Sequence, residues 1–203
     1  MEQNVNKNYE LDLPSGYKLV KHIDAKDKKT GIIFNLIAFL VLIVVMIVSF
    51  IAVNNNGGLT FDIDPGTYLI GLLVFFLVMI AYIILHELVH GIAYYALTKQ
   101  KLTLGLSWSC AFCGVPNIFC NRKTALIALV SPLITFTVIL IPVTIILFSV
   151  NSLVFIASSF ILGLHLGGCS GDIYMTILLL FKYKDKDTLI KDTGPEQYIY
   201  VKE

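Results

Sequence analysis

Four apolar runs, each long enough to cross about 30 Å of hydrocarbon at about 1.5 Å per residue, restrict what this 203-residue chain can become. Gly31 to Val53 is uncharged, a second run extends from about Tyr68 to Thr98, a third from about Thr124 to Val150 and a fourth from about Ser152 to Phe181. Asn54-Asn-Asn-Gly-Gly and Asp64-Pro-Gly mark a loop after the first run, while Val150-Asn151-Ser152 leaves a very short connection between the last two. The second run exceeds a straight crossing, so it must tilt or continue beyond the hydrocarbon. The charged fraction of 14%, against roughly 25% in soluble domains, agrees with this reading. The expected fold class is an α-helical integral membrane protein with four transmembrane helices. Its expected parts are an N-terminal segment 1–30, a transmembrane domain 31–181 and a C-terminal tail 182–203.

The basic residues orient the chain. All fifteen fall in three segments: before the first run, between Lys99 and Lys123, and after the fourth run. The two remaining loops hold only Asp62 and Asp64 as charges, so the positive-inside rule places both termini and the middle segment in the cytoplasm, in a multi-pass protein of the cell membrane. The polar N-terminal segment lacks the layout of a signal peptide. A net charge of +1 without a basic cluster argues against nucleic acid as a partner, leaving the lipid bilayer and a membrane protein or peptide substrate.

Of fourteen acidic residues only Glu87 and Asp172 lie within the spanning runs. An ionisable group in hydrocarbon costs several kcal/mol unless it is paired, hydrated or coordinated, so each marks a candidate site. Glu87 stands in the order His86-Glu-Leu-Val-His90, a pattern that a shuffled chain of this composition would show about 0.002 times. Residues four apart share a helix face, so His86 and His90 can turn their imidazoles toward one metal ion. Glu87, one position along, is placed to act on water beside that metal as a general base. A catalytic zinc site needs a third protein ligand, and depth selects Asp172. It lies nine residues before the end of the fourth run, against twelve and eight for His86 and His90 in the second. With both helices running inward, these offsets become about 13 Å and about 12 to 18 Å from the cytoplasmic ends. The preceding Gly167-Gly168-Cys169-Ser170-Gly171 removes bulk and permits close approach or a local break.

With these residues the chain resembles the site-2 protease class of intramembrane metalloproteases, and more closely a bacterial family of small zincin membrane peptidases. The resemblance covers most of the chain and rests on His86-Glu-Leu-Val-His90-Gly91, Gly171-Asp172, Ser131-Pro132 and Leu13-Pro-Ser-Gly-Tyr17. It implies zinc held by His86, His90 and Asp172, with Glu87 as catalytic base, in agreement with spacing and depth. The chain lacks the Asn-Pro-rich stretch and the inserted peptide-binding domain of better-known site-2 proteases, which leaves substrate selection open. The Lys-, Ile- and Asn-rich composition fits an AT-rich bacterial genome. The expected activity is zinc-dependent peptide hydrolysis near the cytoplasmic face, with a polar cavity admitting water.

Leu102, Leu104, Leu106 and Trp108 alternate with Thr103, Gly105, Ser107 and Ser109, and Gly114-Val115-Pro116-Asn117 can turn the chain back. This is the pattern of a cytoplasmic-side hairpin between helices two and three. It offers an edge to which an unwound substrate strand can add, and it reads equally well as a hairpin on the membrane surface. His165 lies seven residues before Asp172, about 10 Å along the same face, and is a candidate supporting residue or an interhelical hydrogen-bond partner. Cys110, Cys113, Cys120 and Cys169 fit small buried thiols better than a second metal site or disulfides in a reducing compartment. Trp108 and the tyrosines near helix ends fit an interfacial belt.

Two other function classes stay open: a non-catalytic metal-binding membrane scaffold or pseudoprotease, and a metal or proton transporter. Intact Glu87 argues against the first. Against the second, His165 alone among ionisable residues leads toward the outer face. The donor set suits zinc best, with iron the main competitor.

Overall fold

The computed structural model describes residues 8–59, 64–107, 111–184 and 187–203. Asp62, Trp108, Ser109 and Cys110, named above, lie outside the described residues.

Helix α1 spans Lys28–Asn54, α2 Pro65–Thr98, α3 Arg122–Phe148 and α4 Ser152–Gly168, the last continued by α5 (Ser170–Ile177) and a π-helical turn, Leu178–Lys182. Among the described residues four helices are long and apolar enough to cross a membrane, the fourth being the composite 152–182. Their spanning windows are only 6 to 39% buried, and the exposed side chains include Leu69, Val138, Ile145 and Phe181. Apolar surface on that scale points to association with a membrane.

Helix starts follow from capping side chains near each boundary. Asp27 accepts from the Thr30 backbone N–H at 3.0 Å and so begins α1 ahead of the apolar run. Asp64 accepts from the Gly66 and Thr67 N–H groups, both at 3.0 Å, with Pro65 as the first helical residue. The Asp-Pro-Gly turn sequence is therefore the start of α2, because proline fits the first helical position, where no N–H is needed. Asn121 and Asn151 cap α3 and α4 in the same way.

Two compact units can be distinguished. The first, a helical unit, is Phe34–Leu85 with Leu133–Ser170. In it α1 and α4 approach closely at Gly167, where a Cβ would lie 2.5 Å from the Ala38 carbonyl oxygen and 2.8 Å from Ala38 Cα. Small residues permit such backbone contact between spanning helices. Gly167→Ala must separate α1 from α4 by a substantial fraction of an ångström and is expected to destabilise the protein by about 1–3 kcal/mol. Thermal unfolding in detergent checks this, and an unchanged midpoint would refute the contact.

The other unit is Met1–Ile33, His86–Pro132 and Gly171–Glu203. It holds an antiparallel five-stranded sheet in the order β1-β5-β6-β7-β2, with β1 Tyr9–Glu10, β2 Tyr17–Asp24, β5 Phe119–Asn121, β6 Thr188–Asp192 and β7 Glu196–Lys202. The turn at Gly194-Pro195 joins β6 to β7, and β2 carries an irregularity between Leu19 and Lys21. A separate hairpin pairs β3 (Thr103–Leu106) with β4 (Ala111–Gly114). Tyr94, Val115, Ile118, Cys120 and Ala128 form a buried core cluster of this unit. Arg122 donates to the carbonyls of Tyr183, at 3.2 Å, and Lys184, tying the start of α3 to the chain just past the π-helical turn.

The N-terminal segment and the C-terminal tail thus contribute strands to one sheet. Its strands come from both ends of the chain and from the middle segment, a pairing that no local pattern announces.

Candidate metal centre

Every fourth residue of α2 from Tyr82 to Thr98 is polar and buried: Tyr82, His86, His90, Tyr94 and Thr98. A four-residue step overshoots one turn by only about 40°, so these side chains form a slowly winding stripe, while Leu85, Leu88 and Ile92 remain exposed. The motif histidines belong to this inward-facing stripe.

Asp172 reaches them from a helix start. After α4 ends at Gly168, the Cys169 N–H bonds to the His165 carbonyl at 3.1 Å, and a new helix begins at Ser170. Asp172 lies in its first turn. The break sits in the glycine-rich stretch, one of the two forms that its sequence allowed.

Asp172 Oδ2 lies 3.6 Å from His86 Nε2 and 3.4 Å from His90 Nε2. One donor atom from each of the three residues falls within 4.8 Å of the others. These separations are long for hydrogen bonds. They are close to the edge of a zinc tetrahedron, in which bonds of about 2.0–2.1 Å place neighbouring donors about 3.3–3.4 Å apart. His90 Nδ1 donates to the Ala128 carbonyl at 2.9 Å. That acceptor keeps the proton on Nδ1 and leaves the Nε2 lone pair for a metal. The donor set therefore fits zinc. Both imidazoles are buried, while the Asp172 side chain keeps 19% of its surface accessible.

Glu87 stands on the same turn, partly buried, within electrostatic range of His86, His90 and Asp172. Gly91 follows the motif directly. A Cβ there would lie 3.0 Å from Leu102 Cδ1 and 3.2 Å from Cys113 Sγ, so the missing side chain lets the β3–β4 hairpin pack against α2 beside the histidines.

His165 belongs to the helical unit. Its Nδ1 and the Tyr82 hydroxyl share a hydrogen bond of 3.0 Å, and its Nε2 and the Thr137 hydroxyl another of 3.0 Å. Cys113, Cys120 and Cys169 are buried and take part in no disulfide among the described residues, and Cys169 Sγ lies 3.7 Å from His165 Nδ1. Burial pushes Cys113 and Cys120 up to about 12, which leaves them protonated and inert at neutral pH.

Sequence reasoning missed Tyr94 and Asp192. Tyr94 donates to Asp192 Oδ2 at 2.7 Å, and the Gly194 N–H to Oδ1 at 2.8 Å. Asp192 is 3% exposed, and burial raises its carboxyl to about 6 against the pull of these donors. The spacing of Tyr94 from His90 was visible in sequence. Nothing local marked Asp192, which reads as an ordinary turn residue before Thr193-Gly194-Pro195.

Residues 79–186, just over half of the chain, match the family described as "putative zincin peptidase". No curated protein and no solved structure matches the chain.

Proposed function

The chain belongs to this zincin peptidase family, and on that premise we propose that it is a zinc-dependent intramembrane metalloprotease of the site-2 protease kind, acting on membrane-associated substrates near the cytoplasmic face. The observation that carries the reading is the meeting of His86, His90 and Asp172, with Asp172 Oδ2 at tetrahedral-edge distances from both histidine nitrogens, on helices apolar enough to span a membrane. These three residues would hold the metal. Zinc there supplies Lewis acidity, which acidifies water and polarises a scissile carbonyl. Glu87 takes the proton of the attacking water and delivers it to the leaving amine nitrogen. Ala128, through its carbonyl, holds His90 in the tautomer that binding requires.

A substrate helix must unwind to present a peptide bond. A groove of about 280 Å³, lined by Leu88, Gly91, Ile92, Tyr95, Lys99 and Leu102, runs along α2 on the residues that follow Glu87. The outer edge of β3, unpaired among the described residues, offers main-chain groups to an extended strand. Both favour an extended apolar peptide as substrate. The placement of both termini in the cytoplasm rests on the distribution of basic residues.

Detergent-purified protein is expected to contain about one zinc per chain and to cleave members of a panel of single-span peptides, with cleavage lost to a chelator and restored by zinc. Elemental analysis and mass spectrometry of the peptides read the two results. Protein that stays free of zinc under metal-replete conditions would overturn the reading.

A further inference from the structure

The matched segment ends at residue 186, yet the structure joins a residue beyond that limit to the motif helix. We propose that the C-terminal hairpin β6–β7 completes the metal centre, with Asp192 acting through Tyr94 as a positioning residue for His90. The inference rests on the zinc reading above and assigns that site a component outside the matched segment.

Tyr94 lies one turn beyond His90 and is 1% exposed, so its ring has no freedom to swing, and its hydroxyl is directed to Asp192 Oδ2 at 2.7 Å. Asp192 is held in turn by the Gly194 N–H at 2.8 Å and by Gln197 Nε2 at 3.4 Å, both from its own hairpin. The hairpin is itself locked to β4. Val115 N–H donates to the Asp192 carbonyl at 2.8 Å, and a Cβ at Gly114 would lie 2.2 Å from the Gly194 nitrogen and 2.8 Å from the Asp192 oxygen. Cys113, one residue before, packs where a Cβ of Gly91 would be. The three elements are therefore packed in series: α2 at Gly91 against the Cys113 side chain of β4, and the β4 backbone at Gly114 against the backbone of the tail at Asp192–Gly194.

A helix pinned at Tyr94 has its rotation set one turn away, where His90 must aim Nε2. Metal-site geometry tolerates errors of only about 0.5 Å. The same carboxylate lies within electrostatic range of His90 and Glu87, so its negative charge favours a cation at the site. Burying that charge opposes folding of the metal-free protein. A residue serving fold alone would show the opposite balance, since its loss would lower stability without altering the metal.

The test uses full-length protein in detergent, with wild type, Asp192→Asn, Tyr94→Phe and the double variant. Zinc affinity is measured by competition with a chromophoric chelator, the d–d absorption of the cobalt form reports geometry, and thermal unfolding of the metal-free protein reports fold. Asparagine can still bond both Tyr94 and the Gly194 N–H, so that variant should fold. Each single variant should bind zinc about 10-fold more weakly, the lower end of what groups bonded directly to a metal ligand contribute, because Tyr94 and Asp192 act on His90 through the helix. The cobalt spectrum should change, metal-free Asp192→Asn should melt no lower than wild type, and the double variant should be no weaker than the weaker single. Unchanged zinc affinity and cobalt spectrum in both singles would overturn the proposal and leave the zinc reading standing. Additive losses would refute action through Tyr94, and unfolding of both metal-free singles would show that the pair serves the sheet alone. Wild type without zinc would remove the reading itself, and the proposal with it.

Discussion

Glu87→Gln is expected to abolish peptide cleavage while leaving zinc in place. Glutamine keeps the shape of the side chain but cannot accept the proton of the attacking water or return one to the leaving amine. General acid–base groups contribute about 10²–10⁴ in rate. Because Glu87 serves both halves of the transfer, the expected fall in kcat is about 10³–10⁴, which is about 4–5.5 kcal/mol of barrier. KM should change little, since Glu87 is assigned no binding role, and zinc content should remain near that of wild type because Glu87 is not among the three clustered donors. The check is cleavage of a single-span peptide beside elemental analysis of the same preparation. A variant that keeps more than about a tenth of wild-type turnover would remove Glu87 from the chemistry, and one that loses zinc would place it among the ligands.

The legible and illegible parts of this molecule divide on physical lines. A membrane imposes long uninterrupted apolar helices, and that requirement leaves a local trace: four runs were visible, and four helices of spanning length and apolarity occur among the described residues. Their ends were less legible because caps lie outside the apolar pattern. Asp27 and Asp64, which cap α1 and α2, lie four residues ahead of the runs, and neither is apolar. The histidine pair is a one-turn spacing and needs no tertiary information. Asp172 required an argument about depth along two helices, and the structure places it beside both histidines. The five-stranded sheet was invisible as a whole. Tyr9 pairs with Cys120 and Tyr17 with Lys202, and such long-range pairing of short strands has no signature within any window of sequence. Asp192 was lost for the same reason, since its burial is a product of that sheet. The π-helical turn at Leu178–Lys182 had no sequence signal either.

Asp172→Ala is the variant expected to cost the metal itself. Partners one step removed from a metal already contribute about 10–100-fold to affinity, so removing a direct carboxylate ligand should weaken zinc binding by more than about 100-fold. Two imidazoles from one helix would remain, 5.2 Å apart by ring centroid, with neither the third donor nor the negative charge that offsets the dication. His90→Ala should behave alike, because its Nε2 is the closer of the two nitrogens to Asp172 and the Ala128 carbonyl then holds nothing. Both proteins should emerge from purification near zinc-free, and competition titration should give the two losses the same order of magnitude. Asp172 also differs from Glu87 in what its loss does to stability with metal present. Wild type gains stability with added zinc through mass action, and Asp172→Ala should show almost none of that gain, whereas Glu87→Gln should show nearly all of it. If Asp172→Ala instead retains zinc at wild-type affinity while His90→Ala loses it, the third ligand lies elsewhere. The 3.4 Å and 3.6 Å separations would then describe an ion pair between Asp172 and the two histidines, with no metal shared among them.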